Sequence, residues 1–156
     1  MSIRFEHAID VAKGPEQIFA VLDDFSKTPR WLERCTGIEK LSPGPNSVGT
    51  KIRYAYREGG RTGTMDGEIR ARTPNERLTM GYADKMMEVV VDFHMTKKDG
   101  GARLVHTIDI RPKSLFAKLF APLVRRQLPK QTIAAMETLR TLVEGGRNTG
   151  SSSSAT

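Results

Sequence analysis

The segment that decides the fold lies near the end of the chain, where residues 114–144 read SLFAKLFAPLVRRQLPKQTIAAMETLRTLVE. Ser114 is a suitable N-cap and Gly145-Gly146 a suitable stop for a helix. A helix of this length has more apolar surface than it can bury alone, so we expect the preceding chain to form a sheet that it covers. The apolar residues recur at helical spacing and are Leu115, Phe116, Leu119, Phe120, Leu123, Ile133, Met136, Leu139, Leu142 and Val143.

Two prolines, Pro122 and Pro129, interrupt this segment. Proline removes a backbone donor and clashes with the preceding helical turn, so each predicts a kink or break. We therefore expect a regular rear helix from about Lys130 and a separate front piece from Leu115 to Arg126. The front piece is apolar on nearly every side and carries basic residues. It predicts a cavity lid or a transient contact with a membrane, or else simple burial against neighbouring helices.

The composition is that of a globular domain, with 38% hydrophobic and 28% charged residues in a chain of 156. We expect one domain over residues 1–146 and a flexible Ser-rich tail over 147–156. No run approaches the ~20 apolar residues that span a bilayer. The single cysteine, Cys35, excludes an internal disulfide and favours a cytoplasmic location.

The net charge of +7 raises the question of a nucleic-acid partner. Acidic and basic residues alternate along most of the chain, however, and the local basic cluster is confined to the front of the C-terminal segment. We therefore expect no nucleic-acid partner. The oligomeric state is left open.

The N-terminal part of the chain, up to Trp31, predicts a strand followed by two short helices. Residues 3–11 alternate apolar and polar side chains, which is typical of a half-buried strand. Pro15 begins a first short helix, and Ser26 caps a second one that carries Trp31.

Two turns, Gly59-Gly60 and Asp99-Gly100, set the register of the strands that follow. As two-residue hairpin turns they place apolar side chains on one face and opposite charges on the other, and a one-residue slip would reverse the faces. The predicted pairs are Tyr54 with Met65, Arg53 with Asp66, Lys51 with Glu68, Phe93 with His106 and Glu88 with Arg111, and a turn at Asp84-Lys85 sets Met80 between Ile69 and Val89. Gly63 and Gly67 fall on the apolar face, where they either allow the sheet to bend or leave open volume.

This order of elements resembles the polyketide cyclase/dehydrase and lipid-transport superfamily, which is START-like. Residues 14–19, 23–31, 48–50 and 65–69 look like the corresponding stretches of that family, and the resemblance spans residues 2–144. It implies an α+β helix-grip fold, with a curved antiparallel sheet of about seven strands wrapped around a long C-terminal helix and two short helices after strand 1. It also implies a hydrophobic cavity between sheet and helix for a lipid, polyketide or quinone-like ligand.

The apolar face supplies the candidate site. Tyr54, Tyr82 and His106 are the catalytic candidates, since a tyrosine and a neutral histidine can orient or protonate a ligand carbonyl. A lone histidine on an apolar face is also a common structural residue. No inward-facing pair of carboxylates is apparent, since Asp66, Glu68, Asp92 and Asp109 fall on the outer face. The predicted ligand-binding residues are Tyr54, Tyr56, Met65, Met80, Tyr82, Val91, Phe93, His106 and Phe120.

Three functions follow from these features. The favoured one is a non-catalytic carrier or sensor of a hydrophobic small molecule. The second is a cyclase or dehydratase of polyketide-like substrates, and the third is an interaction module that docks through its basic helix. The three histidines have no metal-ligand spacing and no phosphate-binding loop is present, so we expect neither metal nor cofactor.

Overall fold

A curved, seven-stranded antiparallel sheet forms one layer of the computed structural model, and a long helix covers its concave face. The structure describes the backbone of residues 2–154 and the side chains of residues 2–145. The strands are β1 (Ile3–Val11), β2 (Cys35–Lys40), β3 (Lys51–Glu58), β4 (Arg61–Thr73), β5 (Arg77–Ala83), β6 (Met87–Lys98) and β7 (Gly101–Pro112), in the order β1-β7-β6-β5-β4-β3-β2. The helices are α1 (Pro15–Leu22), α2 (Thr28–Trp31), α3 (Leu115–Leu119) and α4 (Ala121–Ser154). The predicted helix-grip fold is confirmed.

The register of the two glycine hairpins is also confirmed. Tyr54 lies opposite Met65 and Phe93 opposite His106, while on the outer face Arg53 Nε donates to Asp66 at 2.9 Å. The β5–β6 connection differs from the prediction, because Met80 pairs with Val91 rather than Val89. The Asp84 carboxylate accepts the backbone N–H groups of the next turn and makes it two residues longer than predicted. Because side chains alternate along a strand, a shift of the pairing by two residues leaves the same side chains facing the inner side of the sheet.

The C-terminal segment divides earlier than predicted. It breaks at Phe120, between α3 and α4, and not at Lys130. Pro122 lies in the first turn of α4, where its missing N–H has no intrahelical partner to lose. Pro129 lies inside α4 and has no N–H to donate, so one backbone hydrogen bond of the helix is lost. The carbonyl that would have accepted it belongs to the exposed Arg125, where water can bind it instead.

The end of α4 also differs from the prediction, because the helix continues through Gly145-Gly146 to Ser154. The side chains of the predicted tail, residues 147–156, lie outside the described residues, and its flexibility stays a prediction.

An ion pair joins the short helices to the sheet. The Asp23 carboxylate, just after α1, accepts two hydrogen bonds from Arg72 of β4, at 3.0 and 2.8 Å, and a third from Asn46. Burial raises the pKa of Asp23, but these donors outweigh burial and hold it below its ordinary value. The next carboxylate, Asp24, caps the turn at Phe25–Lys27. Ser26, the predicted cap of the helix that carries Trp31, lies inside this turn, and Lys27 holds the N-cap position of α2.

Candidate functional site

A cavity of about 190 Å³ lies between the concave face of the sheet and α4. This is more than ten times the roughly 10–15 Å³ needed for one water molecule. The exposed residues Glu58 and Gln127 are part of its lining, so the cavity reaches the protein surface there. The lining is formed by Leu22, Thr28, Trp31, Leu32, Arg34, Ile38, Tyr54, Tyr56, Glu58, Met65, Met80, Tyr82, Asp84, Met87, Val89, Val91, Phe93, His106, Ile108, Ile110, Val124, Gln127, Leu128, Gln131, Thr132 and Ala135.

The structure places the predicted ligand-binding residues of the sheet around this cavity. Tyr54, Tyr56, Met65, Met80, Tyr82, Val91, Phe93 and His106 all contribute to the lining. Phe120 does not: its ring packs against Phe116, and 45% of its surface is exposed. Its placement was predicted wrongly because helical spacing identifies an apolar stripe without identifying the surface that the stripe faces.

The two inward-facing glycines do not enlarge the cavity. A Cβ at Gly63 would lie 2.6 Å from the Tyr56 hydroxyl, and one at Gly67 would lie 2.6 Å from the Tyr82 ring. Tyrosine rings therefore fill the space that the missing side chains leave. Two roles were predicted for these glycines, bending of the sheet and open volume. The close packing of the tyrosine rings agrees better with bending of the sheet than with open volume.

His106 is a neutral, buried imidazole in the cavity wall. Its ring stacks on Phe93 at 4.3 Å, and Nδ1 lies 3.1 Å from the carbonyl oxygen of Asp92. Because a carbonyl can only accept, Nδ1 carries the proton and Nε2 keeps a lone pair. Burial lowers the pKa of His106 from 6.5 to about 4, so the ring is a weak base at neutral pH.

This shift predicts a pH-dependent stability. The unfolded chain takes up a proton at His106 near pH 6.5, whereas the folded chain resists it until about pH 4. The stabilisation is therefore complete above pH 6.5 and is lost as the pH falls towards 4, by about 3 kcal/mol in all. Urea unfolding across this range should show the loss. His106→Phe should flatten the profile and His94→Gln, at an exposed site, should not; an unchanged slope in His106→Phe would contradict the assignment.

The cavity tyrosines are also held in their neutral forms. Burial raises the pKa of Tyr54 to about 12, although the positive charge of Arg34 opposes the shift. Burial raises the pKa of Tyr82 further, and its hydroxyl donates to the sulfur of Met80 at 3.4 Å. The Tyr54 hydroxyl can therefore donate a hydrogen bond to a ligand at neutral pH, whereas that of Tyr82 would first have to leave Met80. Neither hydroxyl is suited to remove a proton from the ligand.

A polar bridge from Arg34 through Gln131 to Glu58 crosses one side of the cavity. Arg34 donates to the side-chain oxygen of Gln131, and Gln131 Nε2 donates to Glu58 at 2.9 Å. The bridge joins the loop after α2, helix α4 and the end of β3. Sequence reasoning did not find it, because residues 97 and 73 positions apart meet here and no local pattern announces the contact. It also brings a carboxylate into the lining, because Glu58 follows Tyr54 and Tyr56 at every second position of β3 and so faces inward.

Trp31 supplies an unsatisfied donor in the cavity wall. Its indole packs edge-on against Phe93 and is only 6% exposed, while Nε1 is buried without a hydrogen-bond partner. An unpaired buried donor costs about 1–3 kcal/mol. A ligand with an acceptor at this position would recover that cost.

The sequence of residues 2–144 matches the model of the polyketide cyclase/dehydrase and lipid transport family. The chain belongs to this family. The match covers all seven strands and the part of α4 that lines the cavity, so all the lining residues lie within the matched stretch.

Other proteins are similar to this chain in sequence or in fold. An uncharacterized protein of Mycobacterium tuberculosis is 32% identical over 108 residues, which cover 67% of this family member and 63% of the relative's own length. The crystal structure of the Zhui aromatase/cyclase from Streptomyces superposes with a TM-score of 0.75 at 15% identity, covering 93% of this chain and 95% of that one. A START superfamily protein from Mycobacterium smegmatis gives 0.74 at 16% identity, covering 90% and 97%. At these identities the structural likeness shows the shared fold.

Two features are absent from the described residues. Histidine, cysteine and acidic side chains form no group of three or more that could hold a metal ion, within residues 2–145. In the same part of the chain, none of the helices has both the length and the apolar character needed to cross a membrane.

Proposed function

We propose that the protein binds a hydrophobic small molecule, of lipid, polyketide or quinone-like chemistry, and acts as its carrier or sensor. The observation that carries the proposal is the cavity itself, which occupies the position where facing side chains of sheet and helix would otherwise interdigitate. Its walls are mainly aliphatic and aromatic with a few polar groups, as in small-molecule sites generally.

The polar groups of the cavity narrow the ligand chemistry. Trp31 offers a buried donor, and His106 offers the lone pair of Nε2. Both rings pack against Phe93, so the two groups flank the same side chain. The ligand that fits best is therefore mainly apolar, with a hydroxyl or carbonyl oxygen that reaches this part of the wall.

A cyclase or dehydratase is the second candidate function, and one feature of the cavity favours it. Arg34 lies in the cavity wall with Tyr54, where a guanidinium could stabilise negative charge developing on a ligand oxygen. Against this, the hydrogen-bond partner of His106 is a backbone carbonyl and not a carboxylate, which leaves the imidazole a weak base. Carriage therefore fits the site better than acid–base chemistry.

The double variant His106→Phe/Tyr82→Phe separates the two functions. Native mass spectrometry of the wild-type protein should show an apolar molecule that co-purifies or binds when added. The variant should still bind that molecule through its apolar contacts, weaker than the wild type by no more than about 5- to 150-fold, because two lost hydrogen bonds cost about 0.5–1.5 kcal/mol each.

A carrier leaves the ligand chemically unchanged, and liquid chromatography of the recovered ligand checks this. Conversion of the ligand by the wild type but not by the variant would establish the enzymatic function instead. A wild-type protein that takes up no apolar molecule would refute both.

We also propose that the protein works in the cytoplasm. Its one cysteine, Cys35, is a buried free thiol whose pKa burial raises to about 11, so it stays protonated and unreactive. A chain that uses its cysteine as a packing residue is typical of a reducing compartment. Cell fractionation of the tagged protein would check the location.

A further inference from the structure

A patch of exposed apolar side chains covers α3 and the first turn of α4. Leu115 and Leu119 are 84% and 73% exposed, and the other members are between 45% and 53% exposed. We call this set the α3 patch, and it consists of Leu115, Phe116, Leu119, Phe120 and Leu123. These are five of the eight large exposed apolar side chains among the described residues, and they fall within nine positions of the sequence. Concentrated apolar surface of this kind marks a binding surface.

The fold holds the α3 patch outward. The backbone N–H of Lys113 donates to the carbonyl of Met86 at 2.8 Å, and Ser114 caps α3 by accepting from the N–H of Ala117 at 3.0 Å. The small side chains of Ala117 and Ala121 face the protein and are buried. The helix therefore packs through its alanines and presents its large apolar residues to solvent, which is the reverse of ordinary core burial.

The chain through the α3 patch carries charges of one sign, and of these Arg111 pairs with Glu88 of β6 at 3.8 Å. Between Asp109 and Glu137 the sequence contains no acidic residue and six basic ones: Arg111, Lys113, Lys118, Arg125, Arg126 and Lys130. Exposed apolar side chains bordered by basic ones complement the surface of an anionic lipid bilayer, where the former enter the headgroup region and the latter contact phosphates. A nucleic acid would leave the five apolar side chains uncovered, and a second copy of the chain would bring like charges together.

The α3 patch also lies beside the cavity. Val124 and Leu128 of α4 line the cavity, while Leu123 and Arg125 on the same turns face solvent. A surface that touched the α3 patch would thus lie against the outer side of the cavity wall.

We propose that the α3 patch docks the protein reversibly on anionic membranes. The apolar side chains insert at headgroup depth and the bordering basic residues bind lipid phosphates. Docking goes beyond ligand binding, since it requires neither a loaded cavity nor a particular ligand, and a failure of docking would leave the carrier function standing.

Co-sedimentation with lipid vesicles tests the proposal. The wild-type protein should bind vesicles of phosphatidylcholine and phosphatidylglycerol in equal parts, and should bind pure phosphatidylcholine vesicles at least about tenfold more weakly. Leu115→Glu/Leu119→Glu should reduce binding to the anionic vesicles by more than about tenfold, and Arg125→Gln/Arg126→Gln should reduce it about tenfold or more.

The chain offers matched controls at the other edge of the sheet. Leu41→Glu/Val48→Glu changes two exposed apolar residues with the same change in net charge, and Arg57→Gln/Arg61→Gln removes two exposed cations. Both controls should bind within about twofold of the wild type. Circular dichroism establishes that all variants are folded.

Three outcomes would overturn the proposal. The first is no binding to the anionic vesicles. The second is equal loss of binding in the patch variants and the controls, which would show a general effect of net charge. The third is a wild-type dimer in sedimentation velocity that Leu115→Glu/Leu119→Glu converts to a monomer, which would assign the α3 patch to self-association.

Discussion

Replacing Val91 with tryptophan is expected to abolish the binding of apolar ligands while leaving the protein folded. Val91 lies on β6 with its side chain in the cavity wall, opposite Met80 on one neighbouring strand and Ile108 on the other. An indole at this position fills space that a ligand would occupy. Losing roughly 100 Å² of apolar contact costs about 2.5 kcal/mol, so affinity should fall about seventyfold.

The fold should tolerate this change because the added atoms enter existing space. Overpacking costs about 1–3 kcal/mol in a filled core, and a cavity places the expected cost at the lower end of that range. Titration with an apolar dye whose visible fluorescence rises in the cavity measures affinity, and urea unfolding measures stability.

The neighbouring valine provides a matched control. Val90 directly precedes Val91 on β6, so its side chain points to the other face, the outer side of the sheet. Its partners on the neighbouring strands are Gly81 and Asp109. Val90→Trp introduces the same side chain one residue away and should leave ligand affinity within about twofold of the wild type. Equal affinity of Val91→Trp and the wild type would show that the ligand binds elsewhere.

The cavity wall on the sheet side could be predicted because strands have a period of two. Once Gly59-Gly60 and Asp99-Gly100 define two hairpins, parity places residues such as Tyr54 and His106 on one face. This result survives errors in loop length. The β5–β6 turn is two residues longer than predicted, because the Asp84 side chain caps it, and yet Met80 still faces inward.

The wall on the helix side could not be predicted in the same way. Apolar spacing suggested Ile133 as an inward residue of α4, but it is 40% exposed, whereas the polar Gln131 lines the cavity. The rotation of a helix about its axis depends on contacts with the sheet and with α2, and a polar residue is stable at the cavity where partners such as Arg34 and Glu58 satisfy it. Those partners come from distant parts of the chain, so the helical pattern does not contain them.

Replacing Gly67 with alanine is expected to destabilise the protein by about 2–4 kcal/mol. A Cβ at this position would lie 2.2 Å from the carbonyl oxygen of Gly81 and 2.6 Å from the ring of Tyr82. The carbonyl belongs to the paired strand β5, so it cannot move away without disturbing the β4–β5 hydrogen bonds. Urea unfolding followed by the fluorescence of the single tryptophan, Trp31, measures the effect.

Gly37→Ala is the control for the loss of a strand glycine as such. No atom lies within 4 Å of a Cβ built at Gly37 on β2, so this substitution should change stability by less than about 0.5–1 kcal/mol. If Gly67→Ala were as mild as Gly37→Ala, the sheet would be soft enough at β4 to accept a side chain, and the glycine would not be required there.

The double variant Gly67→Ala/Tyr82→Leu identifies which of the two contacts makes glycine necessary. Removing the ring relieves its clash with the new Cβ and leaves the clash with the Gly81 carbonyl in place. If the clash with the Tyr82 ring contributes to the destabilisation, the double variant should lose less unfolding free energy than the two single variants added together, by about 1 kcal/mol or more. If the losses of unfolding free energy add up, glycine is required at position 67 because β4 and β5 approach closely. The position of the Tyr82 ring in the cavity wall would then be a consequence of the curvature of the sheet and not its cause.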